Sequence, residues 1–286
     1  MNVKLAAYTD EVFDDPDKAG ELLISKSITN VCLRRAWCRD ISSMPDNAIS
    51  ILDNILIKHK LSPILLHTDI GCVDPEKLLA EEQKFVRALQ ICKFLKCRSL
   101  RIGIGTSSKP AVDISSTPQI TPKFSPSPNG EIVQKWISII SGLSISYDIA
   151  LVLEPENNSY YNQAASIAML LQKSRRLNLL FDPALLVIRS RINPFVKFWS
   201  LLKSRVSFID IHDFKTGDSA KPAGLGDAQL DILVADAIAS KFNGWFCLEP
   251  GLGNRYGNAT TREKTFLRAF DAFESLLQRI QLPKIL

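Results

Sequence analysis

The sequence has no apolar run approaching the roughly 20 residues needed to cross a bilayer, and its mean hydropathy is +0.04. No pair of its six cysteines has CxxC spacing, and no histidine follows them at zinc-finger distance. Histidine is scarce, at three residues in 286. There is no self-similar period, which excludes a repeat array. The segment Met1–Glu11 lacks the basic-then-apolar pattern of a secretory signal. Charge of one sign is not concentrated anywhere. The 35 basic and 30 acidic residues leave a net charge of +5, and the basic clusters Arg34-Arg35, Arg175-Arg176 and Arg189/Arg191 are short. A nucleic-acid binder shows a basic stripe, so ordinary surface charge is the simpler reading. Reduced, mostly buried thiols and a cytoplasmic setting are therefore expected, with no membrane and no nucleic-acid partner.

The chain is 46% apolar, enough for a large core and too much for disorder. Strand-like runs alternate with helical segments. Eight apolar runs stand out: Val3–Tyr8, Asn30–Leu33, Pro63–His67, Ser99–Ile104, Ile149–Glu154, Asn178–Asp182, Val206–His212 and Trp245–Glu249. Each is short and apolar throughout, as in a parallel sheet covered on both faces. Between them, Leu78, Phe85, Leu89, Cys92 and Leu95 recur on one face of a helix starting near Pro75. Ile132, Trp136, Ile139, Ile140 and Leu143 do the same in a later helix. Asp15-Pro16, Asp74-Pro75 and Asn193-Pro194 read as helix starts, a capping side chain before a proline at the first helical position. His59, at a predicted helix end, is expected on the surface. An α/β fold follows, with a doubly wound sheet and a (β/α)8 TIM barrel both compatible. A single barrel domain of roughly 250 residues fits residues 1–286.

Thr106 to Gly130 interrupts the rhythm after the fourth strand. Prolines 110, 118, 122, 126 and 128 exclude a regular helix from this Pro/Ser-rich insert. In a barrel it leaves from the active face, and a lid and a loose insert are both open readings.

Acids close the last four strands. Glu154 ends the fifth, Asp182 the sixth, Asp210 and His212 the seventh, and Glu249 the eighth. Alternation puts Asp210 and His212 on one face, with Ile209 and Ile211 toward the helices. Converging carboxylates repel one another unless a cation or protons intervene. Oxygen donors suit Mg²⁺ or Mn²⁺, and an imidazole shifts the choice toward Mn²⁺, Co²⁺ or Zn²⁺. His67, ending the third strand, faces the same cavity if the barrel closes.

Several phrases resemble the xylose isomerase-like TIM barrels of the sugar phosphate isomerase/epimerase superfamily. Tyr8-Thr-Asp-Glu-Val12 is similar to the "TDE" of strand one, and Val31-Cys-Leu-Arg-Arg-Ala-Trp37 to "vELRsvW" of strand two. Ser99-Leu-Arg-Ile102 resembles the phrase of strand four. Asp210-Ile-His-Asp-Phe-Lys215, then Gly224-Leu-Gly-Asp227 and Asp231, is similar to "HvKDyk … GeGdvD". The resemblance covers nearly the whole chain. It implies metal ligands at Glu154, Asp182 and Glu249, and a fourth at Asp210 or His212. Asp210 stands where the family has its histidine, His212 where it has lysine, Leu185 where a histidine often follows the sixth strand, and Cys32 where it has glutamate.

The chemistry implied is isomerisation or epimerisation of a sugar, sugar phosphate or polyol-like keto substrate through an enediolate. A divalent cation, Mn²⁺ above all, stabilises the charge, and Glu154 and Glu249 act as acid and base. His67, Arg34, Lys215 and Arg255 are the candidates to orient substrate groups. A lyase or dehydratase on the same fold, and a catalytically impaired barrel that binds a ligand or partner, are the alternatives. The abasic-site endonucleases of this fold use histidine-rich three-metal sites, for which this chain lacks the histidines. Pairing of two copies is expected, since barrels of this kind often pair.

Overall fold

The computed structural model describes residues 3–71, 74, 76–104, 130–155, 163–174, 176–190, 193–251 and 259–281. The insert expected at Thr106–Gly130 lies outside them except for Gly130, which opens a helix. Eight parallel strands form the barrel wall. They are β1 (Lys4–Tyr8), β2 (Asn30–Leu33), β3 (Ser62–His67), β4 (Ser99–Ile102), β5 (Ala150–Leu153), β6 (Leu177–Phe181), β7 (Val206–Ile211) and β8 (Trp245–Leu248). Each pairs with its sequence neighbours, and β8 pairs with β1, so the sheet closes. The doubly wound alternative is thereby excluded. No helix among the described residues is long and apolar enough to cross a membrane.

Helices alternate with the strands and cover the outside. They include α1 (Pro16–Ser25), α2 (Asp46–Lys58), α3 (Leu78–Phe94), α4 (Gly130–Tyr147), α5 (Ala164–Lys173), α6 (Pro183–Ser190), α7 (Leu230–Ala239) and α8 (Ala259–Gln281). Two of the three expected caps form as read. The Asp15 carboxylate accepts the Asp17 N–H at the start of α1. Asn193 Oδ1 accepts the Val196 N–H where the helical turn Phe195–Trp199 begins. At Asp74 the carboxylate accepts the Glu76 N–H in a turn, and regular helix starts only at Leu78. On α3, Phe85, Leu89 and Cys92 are fully buried. On α4, Trp136 and Ile140 are buried with Val133. His59 departs from its expected surface position. Its side chain is only 10% exposed, donates or accepts at 2.6 Å with Asp17, and packs against Gly20 between α1 and α2.

The core has two parts. The larger fills the space between strands and helices and includes Ile209, Ile211, Leu33 and Leu248. The smaller plugs the barrel interior with Ala6, Tyr8, Cys32, Leu65, Val152, Leu180, Phe208 and Cys247. This plug positions the site. Side chains on a strand return to the same face every second residue. Two residues beyond the plug, the inward positions are Arg34, His67, Glu154, Asp182, Asp210 and Glu249. Period two therefore turns an apolar floor into a ring of ionisable groups at the C-terminal mouth.

The loop after β7 is shaped by one carboxylate. Asp213 accepts the backbone N–H groups of Phe214, Gly224, Gly226 and Ala228 at 2.9 to 3.1 Å. Burial raises its pKa, and those four donors oppose the rise. Gly226 is required here because a Cβ would stand 2.1 Å from Asp213 Oδ1.

Candidate active site

The acid side of the mouth is built by β6, β7 and β8. Asp182, Asp210 and Glu249 each aim one carboxylate oxygen into a space in which these oxygens lie within 4.8 Å of one another. All three residues are buried, and Asp210 is 0% exposed. Neither Asp210 oxygen has a hydrogen-bond donor. Burial pushes the Asp210 carboxyl well above its ordinary range, and the charges of Glu249, Asp182 and Glu154 push the same way. A buried carboxylate without donors is costly unless a proton or cation reaches it. Three hard oxygen donors at this spacing fit a small divalent cation. The residues therefore suit the ion that the strand-end acids led one to expect.

His212 stands beside this trio. Its Nδ1 hydrogen-bonds Asp182 Oδ2 at 3.0 Å, and its Nε2 faces Gly251, where a Cβ would come within 3.0 Å. Burial alone pulls its pKa down, but Asp182, then Glu249 and Glu11, raise it to about 9. Of the two open candidates at the end of β7, Asp210 is the one inside the converging group, and His212, one residue past the strand, braces Asp182 from outside it.

The opposite side is built by β3, β4 and β5. Arg101, 4% exposed, directs Nε and Nη2 to Glu154 Oε2, each at 2.6 Å. Its Nη1 donates to the Thr68 carbonyl at 2.6 Å. His67 Nε2 lies 3.6 Å from the same Glu154 oxygen, and His67 Nδ1 hydrogen-bonds the Tyr8 hydroxyl at 3.1 Å. Burial, reinforced by Asp210 and Glu249, raises the Tyr8 phenol.

Between the two sides, Arg34 stacks on the Tyr8 ring at 4.8 Å. It pairs with Asp10 at 2.9 Å and Glu11 at 2.8 Å, and also with Glu249. Burial opposes its charge, yet those three acids hold it further above its usual range. Glu11 also accepts the Gly251 N–H at 3.3 Å. A narrow apolar cleft opens beside Glu154 and Asp182, lined by Phe181, Leu185, Leu186 and Phe198.

The structure thus brings Glu154, Asp182, Asp210, His212, Glu249, His67 and Arg34 to one mouth. Lys215 is not among them, since it is half exposed and paired with Asp227 at 2.6 Å. Arg255 lies outside the described residues. Arg101, Asp10, Glu11 and Tyr8 were not picked out individually from sequence. Arg101 carried a signal nonetheless, as a charged residue between Leu100 and Ile102 in an apolar strand.

No family model matches the sequence, and no curated protein matches it. Solved structures do share its fold. A xylose isomerase domain protein from Planctomyces limnophilus superposes with a TM-score of 0.71 at 12% identity, covering 97% of this chain and 98% of that one. A xylose isomerase-like TIM barrel protein from Mycobacterium smegmatis, in complex with magnesium, gives 0.68 at 16% identity over 95% and 99%. D-psicose 3-epimerase from Clostridium cellulolyticum H10, with D-tagatose, gives 0.69 at 13% identity over 98% and 100%. The chain has the fold of the xylose isomerase-like TIM barrels, as its motifs led one to expect.

Proposed function

We propose that this protein is a divalent-cation-dependent isomerase or epimerase of a sugar, sugar phosphate or polyol-like keto substrate. The observation that carries the reading is the buried trio Asp182, Asp210 and Glu249, with an Asp210 carboxylate that no protein donor satisfies. Support comes from neighbours of the same fold, of which one binds magnesium and one is a sugar epimerase. Asp182, Asp210 and Glu249 would hold the cation, Mn²⁺ by preference. When bound, it stabilises negative charge developing on substrate oxygens.

The chain's own residues supply the rest. Glu154 and Glu249 stand on opposite sides of the mouth. One takes the proton from the carbon next to the carbonyl, giving an enediolate, and the other returns a proton to the opposite face or the adjacent carbon. Arg101 and His67 fix the Glu154 carboxylate. Arg34 fixes Glu249 and stacks on Tyr8, closing the floor against water. The apolar plug below denies protons an alternative route. A small sugar-like molecule is the partner, not nucleic acid, for which the sequence carries only short basic clusters and no basic stripe. Buried free thiols at Cys32, Cys92, Cys97 and Cys247 support a reducing cytoplasmic setting.

The test is an exchange experiment. Purified protein loaded with Mn²⁺ is incubated with a panel of keto-sugars in D₂O and followed by NMR. Deuterium at the carbon next to the carbonyl, with an epimer or isomer formed, is the expected result. Cation binding without exchange on any substrate would favour the second reading, a barrel that binds but does not turn over. The arginine engagement of both glutamates is the observation on that side.

A further inference from the structure

We infer that Arg101 takes the place of the cation at Glu154, holding this glutamate outside a cation shell formed by Asp182, Asp210 and Glu249. The inference rests on the cation reading above and concerns how the chain divides its acids. The converging group within 4.8 Å contains those three residues and not Glu154. One Glu154 oxygen, Oε2, instead receives two guanidinium nitrogens at 2.6 Å each, with the His67 ring at 3.6 Å. The guanidinium cannot easily swing away, because Nη1 is tied to the Thr68 carbonyl and the side chain is 4% exposed. A planar fork fixed at both ends is rigid in a way a lysine is not.

Glu249 shows that an arginine contact alone does not remove an acid from the group. Arg34 shares its charge among Asp10, Glu11 and Glu249, and Glu249 still contributes an oxygen to the trio. Drawing Glu154 to the cation would break two short charge-assisted contacts, both on one oxygen, that a buried guanidinium already makes. Arg101 is thus a positioning residue, and the two glutamates differ. Glu249 reaches both cation and proton, while Glu154 handles a proton from beside an arginine.

Mn²⁺ binding to the full chain, read from loss of the free-ion EPR signal, tests this without substrate. The wild type should bind one Mn²⁺. Glu154→Gln should keep the Kd within about 3-fold, while Glu249→Gln should weaken it by about 30-fold or more. In an Arg101→Met background, Glu154 is released to the cation, and adding Glu154→Gln should then cost about 10-fold, a coupling absent from the wild type. If Arg101→Met fails to fold, the Glu154→Gln comparison in the wild-type background still decides. Equal weakening by Glu154→Gln and Glu249→Gln overturns the assignment while leaving the cation reading intact. No Mn²⁺ bound by the wild type overturns the cation reading, and this inference with it.

Discussion

The two sides of the barrel mouth are made of the same kinds of strand and solve opposite problems. On the β6–β8 side, three carboxylates converge and Asp210 has no donor. On the β3–β5 side, Glu154 meets Arg101 and His67 at once. Both sides sit two residues above the same apolar plug, so burial is shared and cannot explain the difference. What differs is counter-charge. One side carries it covalently, as an arginine on β4; on the other, Arg34 and His212 reach Glu249 and Asp182, but no donor side chain among the described residues reaches Asp210. The chemistry of a site is set less by how many acids it gathers than by which of them the chain has already neutralised.

The sharpest way to break this comparison is to remove each glutamate in turn. Glu249→Gln and Glu154→Gln should each lower turnover by about 10³-fold or more, since a positioned acid or base contributes factors of this order. Deuterium exchange in D₂O checks it, with circular dichroism to establish that the fold persists. Full activity in either variant would end the two-glutamate assignment.

The next effect is on stability. Arg34 is 11% exposed and neutralises three acids. Arg34→Met leaves Asp10, Glu11 and Glu249 facing one another, and breaking a buried pair of this kind costs about 3–5 kcal/mol. A fall in Tm of about 10 °C is expected for a chain of this size. Added Mn²⁺ should recover part of it by taking up charge from Glu249, which a purely packing role for Arg34 would not produce.

pH separates the two sides further. His212 in the folded protein is raised to about 9 by Asp182, Glu249 and Glu11, against the pull of burial. Its contribution to stability is complete below the unfolded value near 6.5 and is lost as pH climbs through about 9. The Asp210 carboxyl is also raised, chiefly by burial, so it too makes the folded state lose stability as pH climbs above the ordinary carboxylate range. Cation-free protein should therefore lose up to roughly 3 kcal/mol between pH 6.5 and 9.5. Melting curves in a chelator measure it. With Mn²⁺ present the slope should flatten or reverse, because the ion competes with the protons. An unchanged slope in Asp182→Asn would remove His212 as the cause.

Much of this was legible in the sequence, and the limits have a physical origin. The eight strand runs and their closing acids could be read because a parallel barrel buries both faces of each strand, so a charged residue at a strand end stands out. Asp210 and His212 fell on the inward face by period two alone. What could not be read was pairing across the barrel. Arg101 and Glu154 are 53 residues apart, and Arg34 and Glu249 are 215 apart. Only closure of the wall brings them together. The choice between Asp210 and His212 was open for the same reason, since alternation assigns a face and not a reach. His59 was misplaced because its burial depends on a glycine, Gly20, on the neighbouring helix.

The smallest effect addresses that choice directly. Gly251 has φ +56°, and a Cβ there would stand 3.0 Å from His212 Nε2. Gly251→Ala therefore combines left-handed strain with a contact the imidazole must relieve by shifting, at about 1–2 kcal/mol in total. The ring can move, because its firm tie is a single hydrogen bond through Nδ1 to Asp182. If Asp210 holds the cation and His212 only braces Asp182, Mn²⁺ affinity should change by less than about 3-fold, below the 10–100-fold cost of losing an outer partner outright. If His212 were itself a ligand, displacing its Nε2 would weaken binding by at least about 10-fold. Asp210→Asn in parallel should weaken binding strongly in the first case and mildly in the second. The pair of variants thus assigns the β7 donor without needing the substrate to be known.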